Sequence, residues 1–401
     1  MNTMRKNTNR AARLALGVAT LGAAGILGTL VTGSASAAGF AGNVPTSFSP
    51  VLGHVYLDDN TAGANTIGAF DRHADGSLTP MPGSPFPAGG AGTGAGLASQ
   101  GALQFSSDGR YLLAVDAGSN QISVLRVGWD GSLQLVPRGV VSSGGPTPVS
   151  VAVHDGLVYV ANSGALGPNF TGFTLSLFGQ LHPLAGSTVP VPNGSQPDDV
   201  LFNSIGNTLV GNLTGTSQIE SFSVGFNGLL TAAPGSPLAA QGFGPFGSEF
   251  RPTDPFQLFV SNAHNGATLG TVSAFNVGWN GALSPIGASP FADGQTAPCW
   301  VEISRDGQFL FTVNTGSGDI SRYWIAPNGT LTLLGTTAVS ATGGVGAVDA
   351  RLSPDGRTLY VDESRVGAVG AFAVEGGNLT ELPSSPTSLP AGATPAGIVV
   401  N

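Results

Sequence analysis

The phrase VGWDGSL at residues 127–133 returns as VGFNGLL at 224–230 and as VGWNGAL at 277–283. Each copy is an apolar run that reaches an Asp-Gly or Asn-Gly corner, then a leucine that opens a second alternating run. Such corners accept the positive φ values that tight hairpins demand, so the phrase reads as two strands and their turn. Taken as G-x-L in that context, it ends on Leu78, Leu133, Leu181, Leu230, Leu283, Leu331 and Leu379, at spacings of 55, 48, 49, 53, 48 and 48 residues. A repeat of this length built from strands is the signature of propeller blades.

The units share one grammar. FSSDGRYLLAVDAGSNQISVLRVGWDGSL (105–133) aligns without a gap on ISRDGQFLFTVNTGSGDISRYWIAPNGTL (303–331). Each has a short apolar strand, an Asp-Gly turn, a second strand ending in Asp or Asn, a third strand, the hairpin corner and a more polar fourth strand. The first unit begins with second-strand text, GHVYLDD (53–59), and the chain closes with the first-strand text ATPAGIVVN (393–401). The expected fold is an all-β, seven-bladed β-propeller of four-stranded antiparallel blades, closed by the C-terminal strand completing blade one. The propeller is placed at 53–401, with blades near 53–97 plus 394–400, 98–145, 146–194, 195–243, 244–295, 296–344 and 345–393. Trp129, Phe226 and Trp279, at the corners, are expected to pack between blades.

Residues 1–37 stand apart. Arg5, Lys6, Arg10 and Arg13 precede an uncharged stretch from Leu14 to Val31, and Ala35-Ser36-Ala37 is a small-x-small cleavage signal. This reads as a secretory signal peptide cleaved near Ala37, followed by a linker at 38–52; a retained membrane anchor is the alternative. Four of the 14 basic residues and none of the 23 acidic ones lie in that segment, so its removal takes the formal net charge from −9 to −13. The remainder has no lysine. Schiff-base chemistry is excluded, and neither nucleic acid nor, after cleavage, a membrane is an expected partner. A secreted monomer is expected.

With LTPMPGSPF (78–86), LTAAPGSPL (230–238), LSPIGASPF (283–291) and SPDGRTLYVDE (353–363), the chain resembles the bacterial lactonase-type seven-bladed propellers with YVTN-type repeats. That family includes 6-phosphogluconolactonases of the cycloisomerase type and relatives of carboxymuconate cyclases. The resemblance implies lactone hydrolysis or formation in the central channel. It also implies a basic Arg-His-type pair after the proline opening an innermost strand. Here Cys299 and Trp300 follow Pro298, and Val149 and Ser150 follow Pro148, so no family catalytic residue carries over.

Two rings of residues are expected at the channel mouth where loops lead into the innermost strands. Second-strand ends supply Asp59, Asp116, Asn162, Asn212, Asn262, Asn314 and Glu363; turn capping is the competing role for each. The innermost strands of blades four to seven supply Asp199, Glu249, Glu302, Asp349 and Arg351, where the template is otherwise apolar. Ionised groups there cost several kcal/mol unless paired or wet. Glu249 or Glu302 would then be the acid–base group and Arg351 the electrostatic stabiliser. Asp199, Trp300, Asp349, His264, Asp59, Asp116 and Glu363 would bind substrate. Trp300 would stack on a ligand, and Cys299 is a buried apolar group or a nucleophile beside His264. The five histidines show no paired spacing for zinc. No cofactor is required, calcium held by Asp and Asn side chains being the one candidate. The expected partner is a small lactone or another channel ligand. The opposing expectation is a non-catalytic propeller binding a ligand, glycan or protein on its channel face.

Overall fold

The computed structural model describes residues 49–339 and 346–401. The expected signal peptide, and residues 38–48 of the expected linker, lie outside the described residues. Seven antiparallel sheets follow one another along the chain, each ordered from an innermost strand outwards. The innermost strands of blades two to seven are Leu103–Phe105, Pro148–His154, Pro197–Phe202, Pro245–Arg251, Pro298–Ile303 and Val348–Leu352. In blade one that place is taken by Ile398–Val400, which pairs antiparallel with the second strand, Val51–Asp58. The ring closes as the first and last text of the sequence requires.

Second strands carry the core. Tyr111–Asp116 is buried at all six positions, because each such strand is covered on both faces by its neighbouring blades. The polar side chains of that strand type therefore need partners, and the tyrosines find them in the next blade's hairpin corner. Tyr56 Oη donates to Gly131 O at 2.7 Å, Tyr159 Oη to Gly228 O at 2.8 Å and Tyr360 Oη to Gly76 O at 3.0 Å. From the third strand of blade four, Gln218–Val224, Ser221 Oγ also reaches the next corner, donating to Gly281 O at 2.6 Å.

These corners explain the repeated phrase. Gly131, Gly228 and Gly281 have φ of 79°, 78° and 81°, which a residue with a Cβ would adopt only under strain. The three turns share one hydrogen-bond pattern, seen in Gly131 N donating to Gly128 O at 3.0 Å and Gly228 N to Gly225 O at 2.8 Å. One expectation fails here. Trp129 is 98% exposed, Phe226 fully exposed and Trp279 73% exposed. The corner glycine carbonyl makes the contact between blades, and the ring beside it points into solvent.

The ring has two unlike faces. Loops into the innermost strands and out of the second strands form the loop face. Turns between innermost and second strands, with the hairpin corners, form the turn face. Among the described residues no helix is long and apolar enough to cross a membrane.

Candidate functional site

Innermost strands line the central channel, so a charge on one is either paired or in contact with channel water. Four of the five expected charged residues meet there. Asp199, Glu249, Glu302 and Arg351 line one cavity of about 420 Å³ together with Gln100, Gln104, Ser248 and Arg305. Arg351 is the hub. Its Nη1 donates to Glu302 Oε2 at 2.9 Å and lies 3.7 Å from Glu249 Oε2. Glu302 is held a second time, since Leu352 N donates to its Oε1 at 2.9 Å. Asp199 Oδ2 accepts from Ser248 N at 2.9 Å and from Ser248 Oγ at 2.6 Å, leaving Oδ1 uncommitted.

The electrostatics follow from burial. Desolvation pushes the Glu249 carboxyl well above its ordinary range, and the charge of Glu302 adds to the rise although Arg351 opposes it. Desolvation also raises Asp199, to about 7, against the lowering effect of the Ser248 bonds. Burial lowers the Arg351 pKa, but Glu302, Asp349 and Glu249 outweigh it and hold the group above its ordinary value. The cavity therefore combines a fixed cation with carboxyls that burial makes hold their protons more tightly, Asp199 up to about 7.

The mouth is not the expected one. At the loop face the segment Ser99–Gln100, just before blade two's innermost strand, crosses the channel. Gln100 N donates to Asp198 O at 3.0 Å. Its Nε2 donates to Ser248 O at 2.9 Å, and its Oε1 accepts from Val301 N at 3.1 Å. Blades two, four, five and six are tied together by one side chain and its own amide. The cavity lining runs from this strap to Pro252 and Arg305 in the inner turns, so the pocket is blind at the loop face and opens at the turn face.

The other candidates lie elsewhere. Trp300 is buried, with its ring packed edge-on against Phe246 at 5.2 Å between centroids, and its Nε1 donates to Ser99 O at 2.8 Å. It anchors the strap and offers no face to a ligand. Asp349 is buried at the blade-one seam, where Oδ1 accepts from Ala350 N at 2.8 Å and Oδ2 from Ile398 N at 3.3 Å; desolvation raises it to about 6. His264 is exposed on the loop face, beyond the strap. Asp59 Oδ2 accepts from Thr66 Oγ1 at 2.7 Å, and Asp116 accepts from Asn65 and Ser123. Asp59 thus ties the end of its second strand to the third strand of its own blade, and Asp116 ties its own third strand through Ser123 and blade one through Asn65. Glu363 sits beside Gly370 of its own blade. Cys299 is buried, its thiol pushed up to about 12 by desolvation, which removes it as a nucleophile. Asn212 falls one residue out of register with its expected equivalents, pairing with Ile219 where Asn162 pairs with Asn169. Its side chain accordingly reaches Ser248 Oγ of blade five at 3.2 Å. Among the described residues no group of three or more His, Cys, Asp and Glu side chains is arranged to hold a metal ion.

The closed seven-bladed ring thus encloses a charged channel pocket of a size that suits a small molecule. Residues 251–395 match the family described as "Lactonase, 7-bladed beta-propeller". Solved structures of similar fold include a candidate 6-phosphogluconolactonase from Bacteroides uniformis (19% identity, TM-score 0.71, covering 87% of this chain and 99% of that one). Another candidate 6-phosphogluconolactonase, from Bacteroides fragilis, shows 20% identity and a TM-score of 0.68, covering 87% of this chain and 98% of that one. The periplasmic gluconolactonase of Pseudomonas aeruginosa shows 18% identity and a TM-score of 0.68, with coverage of 87% and 98%. No curated protein sequence matches the chain.

Proposed function

We propose that the protein is an exported lactone hydrolase acting on a small, uncharged cyclic ester in the channel pocket. The observation that carries this reading is Arg351, held 2.9 Å from Glu302 and 3.7 Å from Glu249 in the cavity that also contains Asp199. The cavity's carboxylates disfavour an anionic substrate such as a sugar phosphate. The signal-like segment, and the periplasmic location printed for the Pseudomonas relative, support placement outside the cytoplasm.

The residues suggest a division of labour. Asp199, ionised as pH passes about 7, takes a proton from water through its free Oδ1 as the water oxygen bonds to the lactone carbonyl carbon. Arg351 faces the oxyanion that forms on the carbonyl oxygen. Glu249, protonated, gives its proton to the ring oxygen as the acyl C–O bond breaks, and a hydroxy acid results. The proton on Asp199 leaves to solvent or to the product carboxylate, and Glu249 is reprotonated from the same pool. Glu302, with both oxygens engaged, positions Arg351.

The test is a hydrolysis screen of residues 38–401 against aliphatic, aromatic and sugar lactones, with and without calcium. Asp199→Asn and Glu249→Gln would be run beside the unchanged protein. Turnover that rises through about pH 7 and falls by ~10²–10⁴-fold in Asp199→Asn supports the proposal. Turnover indifferent to both substitutions sinks the assignment, and no turnover on any lactone moves the protein to the ligand-binding class.

A further inference from the structure

The turn face carries a feature the channel does not use. On four successive blades the hairpin corner lifts a large ring into solvent: Trp129 on blade two, Phe178 on blade three, Phe226 on blade four and Trp279 on blade five. Their exposures are 98%, 79%, 116% and 73%. Trp129, Phe226 and Trp279 share one position, two residues before the turn glycine; on blade three that position is the exposed Leu177, and Phe178 follows it. Single exposed apolar residues are ordinary, but large apolar side chains at the corners of four neighbouring blades on one face are an array. Grooves lie between the bases of these corners. One of about 340 Å³ runs between blades two and three, and one of about 520 Å³ between blades three and four. They share the Asp155-Gly156 turn, and Phe226 forms a wall of the second.

The chemistry beside the rings narrows what can lie on them. The residue after each of three rings is polar and already oriented by its turn. Asp130 Oδ1 accepts from Ser132 N at 3.1 Å, Asn227 Oδ1 from Leu229 N at 3.1 Å and Asn280 Oδ1 from Ala282 N at 3.3 Å. Each leaves its second polar atom, Asp130 Oδ2 or an Asn Nδ2, free beside an open ring face. A ring face paired with a fixed amide or carboxylate matches a sugar residue, with its apolar C–H face and its rim of hydroxyls. It does not match a bilayer, since Asp130 would be carried into the headgroup region beside Trp129 and no lysine is present to anchor there. The acidic chain also repels nucleic acid and anionic polymers.

We infer that the turn face of blades two to five is a docking surface for an extended, uncharged polysaccharide, its sugar rings stacking on Trp129, Phe178, Phe226 and Trp279. Each ring contributes weakly. Affinity comes from several engaging one chain, so the loss on removing them compounds.

The protein would be run through native gels containing hydroxyethyl cellulose, laminarin, glycogen or galactomannan, beside the variant Trp129→Ala/Phe226→Ala/Trp279→Ala. Trp129 and Phe226 stand clear of the fold and Trp279 rests against Phe256 at 5.7 Å between centroids, so a thermal melt of the variant checks that the fold is unchanged. The expected result is retardation of the unchanged protein by at least one uncharged polysaccharide, with binding about tenfold or more weaker in the variant. Lactone turnover, where present, stays the same. The proposal is overturned if none of the four polymers retards the protein, or if the variant is retarded equally. It is also overturned if the rings prove to be needed instead for binding phosphatidylcholine vesicles or for self-association on a sizing column.

Discussion

Replacing Arg351 by methionine keeps most of its volume and removes the cation between Glu302 and Glu249. Glu302 then loses its 2.9 Å partner and keeps a single bond from Leu352 N. Breaking a buried ion pair on one side costs about 3–5 kcal/mol. The lower end applies here, because Glu302 retains an amide donor and borders a wet cavity. For a domain of ~350 residues, unfolding entropy near 2.1 cal/mol/K per residue turns ~3 kcal/mol into a fall in Tm of about 4 °C. The double variant Arg351→Met/Glu302→Gln puts a neutral amide against a thioether and should recover most of the loss. Calorimetric melts of the three proteins decide it. A double variant no better than the single one would refute the electrostatic account and leave a packing defect in its place.

Two further expectations concern the intact ring. Asp59 and Asp349 are raised to about 6 and Asp199 to about 7, in each case chiefly by burial. Between about pH 4 and 7 the folded state therefore binds more protons than the unfolded one, so this stability is complete below about pH 4 and is lost as pH rises through 6–7. The Tm should be lower at about pH 8 than at about pH 5, and a Tm that climbs over that range contradicts the burial argument. At the strap, Gln100→Ala removes the side-chain bonds to Ser248 O and Val301 N and leaves both buried groups unmet, at a cost of about 2–4 kcal/mol. Hydrogen exchange at the Val301 amide should accelerate by more than tenfold, and unchanged protection would show that the strap holds without Gln100.

The number of blades and the closure of the ring are legible because turn chemistry is local. A corner glycine with positive φ marks itself wherever it occurs, and seven such marks count the blades. Asp199, Glu249, Glu302 and Arg351 are legible because charge interrupts strands that are otherwise apolar. What the sequence hides is position along and around those strands. Trp300 and Glu302 lie two residues apart on one innermost strand, yet one is sealed beneath the strap and the other borders the cavity. The pairing of that strand slips between Pro298 and Trp300, and comparable slips open the innermost strands of blades four, five and seven, so alternation counted from the proline is unreliable. Gln100 is hidden more deeply. It follows a glycine-rich run with no periodicity, and the groups it binds lie 148 and 201 residues away. The exposure of Trp129 was equally out of reach, since an aromatic residue at a corner reads the same whether it packs inward or stands clear.

The seam of blade one also orders the events of folding. Val55 pairs with Val400 and Leu57 with Ile398, partners separated by 345 and 341 residues. A typical contact within a blade spans a few tens of residues, so the other six blades can form from local encounters long before these pairs are made. The entropy of bringing distant ends together grows only slowly with length, and neighbouring blades stacked in sequence hold the two halves of the seam near each other. Closure is therefore late in time yet modest in free energy. Until it happens the inner edge of Val51–Asp58 stands unpaired, and the lifetime of that open ring, more than the stability of the finished one, governs how often one chain's edge meets another's.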